Sequence, residues 1–191
     1  MRKAEPSDKD LIVQILTKSF EANQSVNYIV KQDKKRIKRI ESLMDYSFEI
    51  CYLFGDVFLS DDKKACALIL YPDKKKTSIK SILLDAKLIF SSVGLSNIKK
   101  TMHRETTIKK LQPKEPMYYL WFIGVDPDYQ SEGIGSRLLE DIIQDSNQRK
   151  RSIFLETSTL KNIPWYKKFG FYIYNELELS YKLFFLKREY E

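Results

Sequence analysis

The residues most open to a chemical reading are Gln130, Ser131, Glu132, Gly133, Ile134, Gly135 and Ser136, a run set between an apolar stretch and an amphipathic one. Glycines let the backbone approach a ligand closely. The free N–H groups at a helix start, with the positive end of its dipole, favour a phosphate. The run therefore reads as a pyrophosphate-binding turn. The Walker-type pattern G-x-x-x-x-G-K-S/T is absent, and the dinucleotide fingerprint needs a third glycine where this chain has Leu138. A nucleoside triphosphate or NAD is thus disfavoured. On its letters alone, a two-glycine loop beside a helix is equally a plain turn.

Other chemistry has little to stand on. With one histidine, His103, and with Cys51 and Cys66 in apolar surroundings without C-x-x-C spacing, a metal site has too few soft ligands. No Ser-His or Cys-His pair offers a covalent nucleophile around His103. The formal net charge of +7 could answer to nucleic acid, a membrane surface or a phosphorylated small molecule. Lys31 to Arg39 and Lys74 to Lys76 read as solvated surface, so no nucleic-acid and no membrane partner is expected. The first eleven residues lack the apolar core of a signal peptide, and no run reaches the roughly 18 apolar residues of a membrane span. The expectation is a soluble cytoplasmic protein.

The elements that must position the loop can be read from periodicity. The chain has 191 residues, 43% of them hydrophobic, which suits one domain over residues 1–191. Ser7 and Asp10 have capping-box-like spacing before Leu11, Ile12, Ile15, Leu16 and Phe20, predicting a helix from about Ser7 to Ala22. A second helix carries Ile37, Ile40, Met44, Phe48 and Cys51 and ends near Gly55. Val57 to Leu59 and Ala65 to Leu70 predict a hairpin across the turn at Asp61 to Lys64. Ile79 to Val93 returns to the helical period and is closed by Gly94, and a polar helical stretch reaches Lys110. Beyond it lie a strand from Met117 to Val125, the glycine turn and a helix with Leu138, Leu139, Ile142 and Ile143 on one face. A strand at Ser152 to Glu156, a short helix from Ile163 to Phe169 and two final strands complete the chain. The order predicts an α+β fold, a mixed and mostly antiparallel central sheet with helices on both faces.

Placed in that order, residues Trp121 to Phe171 resemble the GNAT acetyltransferases. The resemblance rests on a strand ending Ile123-Gly124-Val125-Asp126-Pro127, the motif Q/R-x-x-G-x-G/A, a further strand, Asn162, and Tyr166-Lys167-Lys168-Phe169-Gly170-Phe171. Within the superfamily, Pro113 to Pro116, Gly124 to Asp128, and Phe154 to Ser158 followed by Asn162, Pro164 and Tyr166 look like the puromycin N-acetyltransferase group.

The resemblance implies the GNAT fold and acetyl-CoA as acyl donor. The backbone of Ile123, Gly124 and Val125 would pair with the pantetheine arm, and N–H groups of residues 131 to 136, beside Gln130, would hold the pyrophosphate. It also implies a splayed gap between the Met117–Val125 and Ser152–Glu156 strands. The expected reaction is direct attack of a small primary amine on the thioester, with an N–H near Val125 stabilising the oxyanion.

Tyr166 matches the family's general acid, a phenol that keeps its proton at neutral pH. Asn162 matches a residue that contacts CoA and also suits the N-cap of the short helix. Glu156 is a candidate for the amine's proton, with a plain ion pair as the bland reading. Tyr119 and Trp121 are either pocket walls or core. Two other readings stay open: acetylation of a peptide or protein amine, and an acyl-CoA-binding module without chemistry.

Overall fold

Ala65 to Leu70 is apolar at every position, so a strand formed there needs cover on both faces. It becomes β3, buried along its whole length. The computed structural model describes residues 1–191. In chain order the elements are β1 (Arg2–Lys3), α1 (Lys9–Phe20), α2 (Gln24–Ile29), α3 (Arg36–Phe54), β2 (Gly55–Leu59), β3 (Ala65–Leu70) and α4 (Ile79–Leu88). They continue with α5 (Ile98–Leu111), β4 (Tyr118–Val125), α6 (Ile134–Gln148), β5 (Ile153–Thr157), α7 (Ile163–Lys168), β6 (Tyr172–Glu178) and β7 (Lys182–Arg188).

The strands form one sheet in the order β1-β2-β3-β4-β5-β7-β6. Every pairing is antiparallel except β4 with β5. This is the mixed, mostly antiparallel α+β sheet that the sequence predicts. β7 sits inside the sheet with a buried centre, and β6, whose residues are all exposed or half-buried, takes the edge.

Two large apolar clusters lie on the two faces. One joins α1 and α3 through Ile12, Leu16, Met44 and Phe48 to Leu59, Leu68 and Phe122. The other joins Leu138, Leu139 and Ile142 of α6 to Ala67, Ile69 and Leu120. A third, smaller cluster packs Ile108 of α5 on Tyr181, Leu183 and Phe185. The register between β3 and β4 slips by one: Leu68 faces Phe122 but Ile69 faces Leu120, leaving Trp121 as an extra residue. The bulge resets the alternation, so Trp121 and Phe122 both pack toward the first cluster.

Two elements have no counterpart in the sequence reading. β1 is only Arg2–Lys3, too short to show a pattern, and forms by pairing with Phe58 and Leu59. α2 is a short helix held by Asn23, whose side chain accepts the Val26 N–H at 3.0 Å. The first capping box is also displaced from the expected Ser7 and Asp10. It joins Glu5 and Asp8, with Asp8 accepting the Glu5 N–H at 2.8 Å while the Arg2 guanidinium grips the same carboxylate. No single helix is long and apolar enough to cross a membrane.

Candidate active site

The site begins where β4 leaves β5. Parallel pairing covers only Tyr118 with Ile153 and Tyr119 with Phe154, after which the strands part. From Leu120 to Val125, β4 is bonded on its β3 side alone. The Asp126 N–H bonds to Lys64 O at 2.8 Å on that side, so strand alternation turns the Val125 N–H toward the gap. The Val125 carbonyl is already held, by the Ser19 hydroxyl at 2.7 Å and by the Gln130 amide at 3.4 Å.

The Gln130 to Ser136 run leads from this strand into α6. Ser131 and Gly133 have φ of 70° and 78°, a left-handed backbone that suits glycine and strains serine. The first helical bonds run from the Ser136 and Arg137 N–H groups to Gly133 O, each 3.1 Å. The N–H groups of Ser131, Glu132, Gly133, Ile134 and Gly135 have no partner within the chain. Five successive free donors at the start of a 15-residue helix are the arrangement that suits an anion. The side chain of Ile134 is buried in the core, leaving its backbone for a ligand. Gly135 lies against β4, where an added Cβ would stand 3.2 Å from the Val125 side chain. Glu132 points away, 3.9 Å from Lys64. These free donors and the unpaired β4 edge fit an extended, phosphorylated molecule such as acetyl-CoA.

α7 closes the far side. Trp165 donates to the Ser136 hydroxyl at 3.0 Å, tying α7 to the start of α6. Tyr166 is buried, its ring 5.4 Å from that of Phe171. Burial pushes its phenol above the ordinary value, so it keeps its proton. Asn162 occupies the N-cap position, but its side chain makes no capping bond there, contrary to the expected capping role. The preceding 3-10 turn, Leu160–Asn162, gives Asn162 helical dihedrals before α7 begins, which replaces the extended backbone a capping side chain needs.

Glu156 stands on β5 opposite the gap. Its carboxylate accepts a short hydrogen bond from the Tyr119 hydroxyl and one of 2.9 Å from Gln112. It makes no ion pair, so the bland reading of Glu156 does not hold. Burial raises its pKa; Tyr119, Gln112 and the Arg104 guanidinium oppose the rise, and Glu105 adds to it. The Tyr174 hydroxyl is buried without a partner, and both its own burial and Glu156 raise its pKa.

Arg104 of α5 holds the roof over this side. It donates to Ser25 Oγ at 2.6 Å and Tyr181 OH at 2.9 Å and pairs with Glu105, joining α5, α2 and the β6–β7 turn. Trp121 meets Tyr46 edge-on at 6.3 Å, and Tyr46 donates to Asp85 at 2.6 Å. Ser19, Gln112, Arg104 and Tyr174 have no local sequence signature and were beyond sequence reasoning; only the fold gathers them.

The arrangement can hold an anion on backbone donors, receive an extended chain along β4, and offer the Glu156 carboxylate beside the parted strands, while the Tyr166 ring packs in the cluster on the α6 face. A family model described as "Acetyltransferase (GNAT) family" matches residues 92–171. Solved structures agree over the whole fold. A structure described as histone acetyltransferase HPA2 and related acetyltransferase from Corynebacterium glutamicum is 18% identical, with a TM-score of 0.74, covering 100% of this chain and 96% of its own. Arylalkylamine N-acetyltransferase 2 from Aedes aegypti is 16% identical, with a TM-score of 0.65 and coverage of 100% and 98%. An N-acetyltransferase from Staphylococcus aureus is 16% identical, with a TM-score of 0.58 and coverage of 97% and 98%. The fold is the GNAT fold. The stretch that the family model matches, residues 92–171, runs from the end of the α4 segment through β4, the glycine turn, α6, β5 and α7.

Proposed function

We propose that the protein transfers the acetyl group of acetyl-CoA to the primary amine of a small molecule, by direct attack in a ternary complex. The observation that carries this reading is the parting of β4 from β5 after two residue pairs, with the Val125 N–H turned into the gap and Glu156 across it. Backbone donors of residues 131 to 135 would hold the pyrophosphate, the expected Ser136 N–H being taken instead by Gly133 O; Ile123, Gly124 and Val125 would hold the pantetheine arm, and Gln130 and Asn162 would complete the cofactor contacts. Acetyl-CoA supplies the activated thioester. Pro113 to Pro116, Gly124 to Asp128, and Phe154 to Ser158 with Asn162, Pro164 and Tyr166 resemble the puromycin N-acetyltransferase group, which favours a small-molecule amine.

The chain's own residues would divide the proton work. An amine must lose a proton to become a nucleophile, and Glu156, with its raised pKa, is a stronger base than an ordinary surface carboxylate. Tyr166 would hold a proton for the leaving sulfur. The Val125 N–H would stabilise the oxyanion. Tyr119 and Gln112 fix the Glu156 carboxylate from two sides.

The test is calorimetric titration with acetyl-CoA, followed by thiol release with a panel of amines, aminonucleosides and short peptides. Binding with release on small amines supports the reading. Release on peptides alone replaces the acceptor class, binding without release on any acceptor removes the chemistry, and no binding overturns the assignment.

A further inference from the structure

The segment between β3 and β4 has a surface unlike the rest of the molecule. α4 is apolar on two faces. Leu84 and Leu88 pack inward against the α1–α3 cluster. On the outer face Ile79 is 80% exposed, Ile82 55%, Leu83 65% and, in the π-helical turn Ile89–Val93 that continues α4, Phe90 70%. Ile79, Ile82, Leu83 and Phe90 recur at helical spacing, so they form one stripe. Across the bend at Gly94, Leu95 and Met102 are 68% and 64% exposed. Single exposed leucines are normal, whereas a stripe of this size marks a contact surface.

The charge at its two ends says what covers it. Lys74, Lys75 and Lys76 run into the start of α4, all exposed. At the other end the π-helical turn is reached by the chain before α3, through the Lys31 N–H to Ser92 O at 3.1 Å, and by the first turn of α3, through Arg39 to Ser91 O at 3.2 Å. Lys34, Lys35 and Lys38, all exposed, lie between those two anchored residues, at the start of α3 and just before it. None of these six lysines is in an ion pair. Most acids of the adjoining elements are occupied: Asp33 with Lys31 and Arg39, Asp45 with Lys9 and Lys87, Glu49 with Lys9 and Lys80. Asp85 accepts from Tyr46. Glu41 is the one exposed carboxylate on this side of α3 without a partner.

From this surface we propose that the outer face of α4 docks on an anionic lipid bilayer, with its apolar stripe in the acyl boundary and the lysines of both ends on the headgroups. A second copy of the chain covers the stripe poorly. In a two-fold contact the same basic ends would face one another across the interface, or each would face its own copy. An anionic surface meets both ends with the opposite sign. The segment is proposed to lie on the bilayer, its apolar stripe on one face and Lys80, Asp85 and Lys87 on others, the pattern of a helix in the interface plane.

The experiment is flotation of the full chain with vesicles of phosphatidylcholine alone and of phosphatidylcholine with phosphatidylserine at about 3:1. The expected result is flotation with the mixed vesicles only, weakening as salt is raised. Ile82→Glu with Leu83→Glu should abolish it while acetyl-CoA affinity and the circular dichroism spectrum stay unchanged. Replacing Lys74, Lys75 and Lys76 by Gln, in the segment before the helix, should lower partitioning by roughly a hundredfold. No flotation with mixed vesicles overturns the proposal, as does flotation that both variants leave intact. A dimer in sedimentation that the Ile82 and Leu83 substitutions dissociate, without lipid binding, assigns the stripe to a second copy instead.

Discussion

From Gln130 to Ser136 the chain presents backbone: five free N–H groups, two residues in left-handed conformation and a glycine lodged against β4. Around Glu156 it presents side chains, with Gln112 arriving from just beyond α5, Tyr119 from β4, Tyr174 from β6 and Arg104 from α5. The first region depends on dihedral angles that neighbouring residues set. The second depends on a sheet that brings residues 44 positions apart into contact. Local substitutions should therefore damage binding in the first region and turnover in the second.

The largest effect is expected for Tyr166→Phe. It should lower kcat by about 10²–10⁴-fold with acetyl-CoA affinity unchanged, because only the proton is removed. Single-turnover kinetics with calorimetry checks this, and an unaltered rate would remove Tyr166 as the acid.

Glu156→Gln should lower kcat by about 10²-fold or more and abolish an acidic limb of kcat/KM lying above the ordinary carboxylate range. The same change should stabilise the fold. A carboxyl whose folded pKa is raised holds its proton longer than in the unfolded chain, so stability falls as pH rises from the unfolded value through the folded one. At neutral pH the substitution removes that cost, and Tm should rise by about 2–4 °C. A lower Tm would show that the carboxylate supports the fold instead.

Gly133→Val sharpens the other arm. At φ 78° a branched residue is strained by about 1–2 kcal/mol, so acetyl-CoA should bind about tenfold more weakly, with kcat at saturation little changed. Undiminished affinity would break the contrast between backbone and side-chain regions. Asp8→Asn, distant from both, should leave kinetics alone. Arg2 holds the Asp8 carboxyl down at about 2, so its stabilisation is present above the usual value and is lost as pH falls through about 2. The variant should lose less than about 4 °C in Tm at neutral pH, and the loss should vanish near pH 2.

The same contrast explains what could be read from sequence. Gln130 to Ser136 was legible because glycine spacing between a strand and a helix is a local statement about backbone, and the helices and strands around it followed from their periodicity. The parting of the strands came from resemblance alone, since no pattern in Leu120 to Val125 announces a missing neighbour. Arg104 lies in a polar helix among lysines, and nothing in that stretch separates an anchored guanidinium from a solvated one until Ser25 and Tyr181 are brought to it. β1 and α2 escaped because they are two and six residues long, too short for their periods to repeat twice.

A sheet of seven strands ordinarily has two rims; this one has a third, inside the molecule, where β4 runs on past its partner. Open rims invite any extended chain to complete them. Without its donor, the protein should behave at Ile123 and Val125 like the margin of a sheet, exchanging amide hydrogens quickly despite a central position. With acetyl-CoA bound, those same amides should slow, and the small molecule would then serve the architecture as a missing strand.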